Sequence, residues 1–284
     1  MIDVALALGG GGSKGYAHLG VIRALQKRGF RIKAIAGTSA GGIAGTIVAA
    51  GFSPDEIIGR IASIRQENLY GFGKGPALLG TKGIEQVIYQ FLEDKTFSDL
   101  QIPCALTAVD LNKMKEIIIQ EGKVIDGVMA TTAIPGVFPP REWKEYLLVD
   151  GMVLNPVPVE LARSLAPSLP VIAVSLTPEP ERWTNSSLWN TTPANPLLRP
   201  ISKLRVAKAF DIYLRSMDIT IHMLGEKRLE IENPDILIRP DVGDIGSLDR
   251  VNIPEVAQLG DQAVEQVEDE LRKISKRRRW YNRK

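Results

Sequence analysis

Two short glycine-rich turns, each set between an apolar run and a helical pattern, constrain this chain more than any other feature. The first reads Gly10-Gly11-Gly12-Ser13-Lys14-Gly15 and follows Val4-Ala5-Leu6-Ala7-Leu8. The second reads Gly37-Thr38-Ser39-Ala40-Gly41 and follows Ile32-Lys33-Ala34-Ile35-Ala36. Strand–turn–helix units build parallel sheets, and neighbouring parallel strands carry their following turns at one edge of the sheet. The first turn then offers backbone N–H groups able to hold a negative oxygen. The second presents a serine hydroxyl on a sharp strand-to-helix turn. An anion hole beside an exposed nucleophile is the minimum equipment for acyl transfer.

The alternation continues along the chain. Helical spacing is read over 16–28, 43–50, 84–92, 124–132, 159–165, 206–224 and 256–274. Further strands are read over 104–111, 116–120, 146–149, 171–176 and 235–239, the first two pairing through a turn at Asn112-Lys113. This pattern predicts an α/β fold with a mainly parallel central sheet and helices on both faces. The segment 177–204 is rich in Pro, Ser, Thr and Asn, contains Trp183 and Trp189, and lacks periodicity, so it reads as a mobile lid or loop. The expected organisation is one domain over 1–284, with that lid at 177–204 and a basic C-terminal tail at 276–284.

The glycine loop has two rivals to exclude. A dinucleotide-binding unit needs an acidic residue about 20 positions after the loop. Here the second strand runs into Gly37-Thr38-Ser39, and the next acid is Asp55. A P-loop needs Ser or Thr after its lysine, whereas Lys14 is followed by Gly15. The question becomes which base activates Ser39. The chain has two histidines, His18 and His222. His222 satisfies the order serine, acid, histidine, but it falls in a helical pattern and not in the loop after a strand. Asp150 is the better candidate: it ends the strand Tyr146-Leu147-Leu148-Val149 and precedes Gly151, where the chain can turn sharply. A shielded carboxylate at a strand end has a raised pKa and makes a better base. Read alone, Asp150-Gly151 is also a common hairpin turn.

Composition limits the remaining classes. A formal net charge of +2 is too small to imply a nucleic-acid partner. The single cysteine, Cys104, sits in an apolar run and reads as a small buried hydrophobe, with no disulfide framework available. The N-terminus lacks a basic region ahead of its apolar run, and no stretch reaches the roughly 18 apolar residues of a membrane span. A cytoplasmic protein is expected. The basic tail Lys276-Arg277-Arg278-Arg279-Trp280-Tyr281-Asn282-Arg283-Lys284 suits weak peripheral contact with anionic membrane, against the plainer reading of a solvated terminus. No metal cluster is visible in the spacing of His, Cys, Asp and Glu, and no cofactor is expected.

Taken jointly, four motifs resemble the patatin-like phospholipase family in its bacterial branch. They are the Gly10–Gly15 loop, Gly37–Gly41, Ile134-Pro135-Gly136-Val137-Phe138-Pro139-Pro140, and Asp150-Gly151 followed by Asn155-Pro156-Val157-Pro158. The resemblance covers roughly residues 4–176 in the family's order and spacing. It implies a three-layer α/β architecture and a serine acyl hydrolase acting on lipid esters through a Ser39–Asp150 dyad without histidine. It also implies an oxyanion hole at Gly10, Gly11 and Gly12, with Lys14, Gly15, Gly37, Gly41 and Gly151 supporting the motifs. Met152 departs from the family, which usually carries glycine or alanine after the Asp-Gly pair. A lipid transacylase using the same dyad and a catalytically silent lipid-binding module are the alternatives.

Overall fold

The computed structural model describes residues 1–64, 69, 71–72, 77–179 and 205–281. Most of the expected lid, including Trp183 and Trp189, and the last residues of the tail lie outside them. The strands are β1 (Ile2–Leu8), β2 (Phe30–Gly37), β3 (Gly71–Phe72), β4 (Leu79–Gly80), β5 (Cys104–Asp110), β6 (Lys115–Ile119), β7 (Arg141–Trp143), β8 (Tyr146–Asp150), β9 (Val171–Val174) and β10 (Ile236–Ile238). The helices are α1 (Tyr16–Lys27), α2 (Ala40–Ala49), α3 (Pro54–Ala62), α4 (Lys82–Leu92), α5 (Val124–Thr131), α6 (Val159–Leu165), α7 (Arg205–Glu232), α8 (Ile253–Gln266) and α9 (Glu268–Tyr281). β3 and β4 form a small antiparallel pair of their own.

The main sheet runs β10-β9-β1-β2-β5-β8-β7, with β6 also paired to β5. From β10 to β5 the pairings are parallel, as the alternation predicts. Beyond β5 they are antiparallel: the β5–β6 pairing is the expected one, and the β7–β8 pair is an addition to it. The cause is two hairpins. β5 returns as β6 through the Asn112-Lys113 turn, and β7 returns as β8 through a turn with Lys144 at φ 53°.

The antiparallel direction of β8 has a consequence for the site. Leu106 of β5 pairs with both Gly37 of β2 and Ile119 of β6, so β2 and β6 lie on opposite edges of β5. Ala108 pairs with both Ile117 of β6 and Asp150 of β8, so β8 also lies opposite β6. β2 and β8 therefore share one edge of β5 and meet end to end. Each strand's final residues point at the other's. The serine turn leaving β2 and the aspartate ending β8 converge at that junction.

The two faces of the sheet are unlike. Val4, Leu6 and Leu8 of β1 and Ile32 and Ile35 of β2 pack with α1, α2, α3 and α8 in the large core. Ala5, Ala7, Ala34, Ala36 and Ala105 make the other face, where α6 docks through Val159, Leu161 and Ala162. Ile32 and Ile35 are three apart and would fall on opposite faces of a regular strand. A register shift between Val4 and Ala5 skips Lys33 and restores both to the same face.

Helix α1 crosses α8 at two glycines. A Cβ on Gly20 would collide with the carbonyl of Ala257, and one on Gly260 with the carbonyl of Ala17. At an ordinary helical position alanine is favoured over glycine by about 1 kcal/mol. Here the collision is with backbone, so Gly20→Ala should instead destabilise the fold by about 1–3 kcal/mol, the usual cost of overpacking. Its denaturant midpoint should fall; a raised midpoint would mean that the helices do not touch there. The closing helix expected over 256–274 is two helices, α8 and α9, broken at Val267. The break returns Leu271 to the core beside Val264, and no glycine or proline marks it in the sequence.

Candidate active site

Ser39 stands between β2 and α2 with φ 52° and ψ −122°, a region that costs a non-glycine residue about 1–3 kcal/mol. Its neighbours hold it there. The Ser39 N–H donates to Thr131 Oγ1 at 2.9 Å, and the Thr38 N–H donates to the Leu8 carbonyl at 3.0 Å. The Thr38 hydroxyl donates to the Asn155 carbonyl at 2.9 Å and lies 2.8 Å from the Thr107 hydroxyl. Having given its one hydrogen to Asn155, Thr38 accepts from Thr107. Gly37 and Gly41 are required by close approach: a Cβ on Gly37 would sit 2.6 Å from Gly42 Cα, and one on Gly41 would enter the Leu8 carbonyl.

The glycine loop after β1 lies against this turn. A Cβ on Gly15 would sit 2.5 Å from Ala40 Cβ, and one on Gly10 would be 3.1 Å from Ser39 Cβ. The Gly9 N–H donates to Val174 and the Gly10 N–H to Pro156, at 2.9 and 3.0 Å. Gly10 therefore shapes the loop, because its own N–H is engaged. The N–H groups of Gly11 and Gly12 have no partner among the described residues. Gly12 has φ 58°, and a side chain there would strike the Ser247 carbonyl.

Asp150 is buried, 1% exposed, at the end of β8. Its Oδ2 accepts the Ser39 hydroxyl at 2.6 Å, and its Oδ1 accepts the Met152 N–H at 2.8 Å. Burial pushes its pKa up to about 7, against the opposing pull of the hydrogen bonds from Ser39 and Met152. Gly151 lets the chain turn past Thr107, whose hydroxyl a Cβ would overlap. Met152 acts on the carboxylate through its backbone, so that contact does not depend on the side chain. The Met152 side chain packs over Gly10 and occupies the space a Cβ there would need.

Neither histidine holds the Ser39 hydroxyl. His18 is fully buried in α1 with Nε2 2.7 Å from the Gly9 carbonyl. His222 lies on α7 with Nε2 3.4 Å from Asp218 Oδ1, beside a small cavity also lined by Gly10, Gly11 and Lys14. Lys14 is 8% exposed, and burial pulls its pKa down while Asp218, Asp249 and Asp244 oppose that shift. The Cys104 thiol is buried and pushed up to about 12, which leaves it inert at neutral pH. Thr38, Thr107 and Thr131 are site residues that the sequence reading passed over. A threonine facing a neighbouring turn carries no local signature.

Ser39 opens onto an apolar cleft lined by Gly12, Ser13, Ile43, Ile47, Ile57, Ile84, Val87 and Phe138. A family model for patatin-like phospholipase matches residues 6–163. The chain belongs to that family. An uncharacterised NTE family protein of Mycobacterium tuberculosis is 37% identical over 177 residues, covering 61% of this chain and 49% of its own. Human patatin-like phospholipase domain-containing protein 6 is 28% identical over 182 residues, covering 61% of this chain and 13% of its own. This patatin-like chain thus spans about half the length of its mycobacterial relatives. VipD from Legionella pneumophila shares the fold with a TM-score of 0.52 at 13% identity, over 94% of this chain and 66% of that one. Among the described residues no helix is long and apolar enough to cross a membrane, and no group of three or more His, Cys, Asp or Glu side chains could hold a metal.

Proposed function

We propose that the chain is a serine acyl hydrolase that cleaves carboxylic esters of lipids through Ser39 and Asp150. The observation that carries this reading is the 2.6 Å hydrogen bond between the Ser39 hydroxyl and the buried Asp150 carboxylate, at the mouth of an apolar cleft. Family membership and the printed name of the human relative support a lipid substrate.

Ser39 Oγ attacks the ester carbonyl as its proton passes to Asp150. The negative charge that develops on the carbonyl oxygen is held by the N–H groups of Gly11 and Gly12. Asp150 then gives the proton to the departing alcohol, leaving an acyl-enzyme on Ser39. Water attacks that ester with Asp150 again as base, Asp150 returns the proton to the departing Ser39 Oγ, and the acid leaves. A base with pKa near the working pH combines a useful ionised fraction with real proton affinity. The cleft walls receive the acyl chain, each methylene taken from water contributing about 0.8 kcal/mol.

Incubation with phosphatidylcholine should release free fatty acid, and Ser39→Ala should not. Intact lipid after prolonged incubation with the folded protein, presented in micelles and in vesicles, would count against a phospholipid substrate. Val87 is half-buried in the cleft wall. Val87→Trp should shorten the chain that fits. Excluding two methylenes costs about 1.6 kcal/mol, so the ratio of dodecanoate to butyrate hydrolysis should fall about tenfold or more. An unchanged ratio would place the acyl chain elsewhere.

A further inference from the structure

We propose that His18 is a positioning residue for the oxyanion hole, its imidazole clamping the peptide plane that precedes the two donor N–H groups; this rests on the acyl-hydrolase reading above. Four consecutive glycines, Gly9 to Gly12, make an intrinsically loose segment. Oxyanion donors work because they are already aimed before the reaction begins. The loop therefore needs anchors from outside itself, and the structure supplies them at one peptide.

The carbonyl of that peptide belongs to Gly9, and it lies 2.7 Å from His18 Nε2. Its N–H belongs to Gly10 and donates to the Pro156 carbonyl at 3.0 Å. Both ends of one peptide plane are thus fixed, from α1 on one side and from the loop after β8 on the other. The next two N–H groups, of Gly11 and Gly12, are the ones without a partner among the described residues.

A carbonyl oxygen carries no hydrogen, so the ring must donate, and Nε2 bears the proton. Nδ1 is then a bare acceptor. It is buried without a hydrogen-bond partner among the described residues. Burial also holds the ring neutral at ordinary pH, with its pKa down at about 4. An unpartnered buried acceptor is destabilising. Leucine or phenylalanine would suit the buried face of α1 without that penalty. The Nε2–H bond to Gly9 is the interaction that a hydrocarbon could not make.

The test compares His18→Leu with His18→Gln in the full chain, assayed on a soluble butyrate ester. Glutamine keeps an N–H donor at similar reach; leucine fills the space without one. His18→Leu should lower kcat by about 10²-fold, the lower end of the loss on removing one oxyanion donor. KM should stay within about threefold, and the acid limb of the pH–rate profile should not move, because the dyad is untouched. His18→Gln should stay within about tenfold of the parent. A folded His18→Leu protein with parental kcat, or equal losses in both variants, would overturn the proposal. Ser39→Ala measured alongside separates the two claims: if it too retains turnover, the site reading itself fails. Nitrogen-15 NMR of the unmodified protein at pH 6 covers the case in which His18→Leu does not fold. The neutral Nε2–H tautomer is expected for His18; an Nδ1–H tautomer or an imidazolium would contradict the clamp.

Discussion

Ser39→Ala and Asp150→Asn are each expected to abolish ester hydrolysis, by about 10³-fold or more, while the protein stays folded. The two side chains share one hydrogen bond, and the proposed mechanism passes one proton between them, so it needs both. Residues that act as a unit are strongly non-additive, and the double variant should be no worse than either single one. Loss of a general base alone typically costs about 10²–10⁴ in rate. Asp150→Asn preserves shape, and its amide can still accept the Met152 N–H, so circular dichroism and the unfolding midpoint should report a native fold. Near-parental turnover in folded Asp150→Asn would remove Asp150 from the mechanism and reopen the case for His222.

Asp150→Asn should also make the protein more stable above about pH 4, with the full gain reached from about pH 7 upward. The Asp150 carboxyl is raised from 3.8 to about 7 in the folded state. Between those values the folded protein binds more protons than the unfolded chain, so this group's contribution to stability falls as pH rises. The loss is complete above about pH 7 and absent below about pH 4. A rise of about three pKa units corresponds to about 4 kcal/mol. Asp218, raised to about 6, adds a change of the same sign, while His18 and His222, lowered to about 4, change stability in the opposite sense. The informative quantity is therefore the difference between parent and variant in urea titrations. It should be near zero at pH 4 and reach several kcal/mol in favour of Asn at pH 8. Parallel pH dependence in both proteins would show that Asp150 is not the buried, reluctant acid described here. The same protonation predicts an acid limb near pH 7 in the parent's kcat/KM.

Much of this arrangement is legible in the residues. The two turns announce themselves because backbone packed this tightly excludes a Cβ, which forces glycine at Gly12, Gly15, Gly37 and Gly41. The parallel run from β10 to β5 follows from the alternation of apolar strands with helical spacing. Asp150 could be chosen from its strand-end position. Its meeting with Ser39, however, depends on β8 running antiparallel and abutting β2 along one edge of β5, and strand direction is written in no local pattern. β7 has three residues, too few for periodicity to show. The skipped Lys33 and the break at Val267 answer to packing against distant elements. His18 reads as one more helical residue until the Gly9 carbonyl is seen above it.

The central claim is that Ser39 is a nucleophile activated by Asp150, and an active-site-directed fluorophosphonate tests it most directly. One adduct per chain is expected, located on Ser39 by peptide mass spectrometry. It should be absent from Ser39→Ala and form at least about 10²-fold more slowly in Asp150→Asn, the smaller loss typical of a missing general base. Labelling that persists in Ser39→Ala, or proceeds at the parental rate in Asp150→Asn, would contradict it.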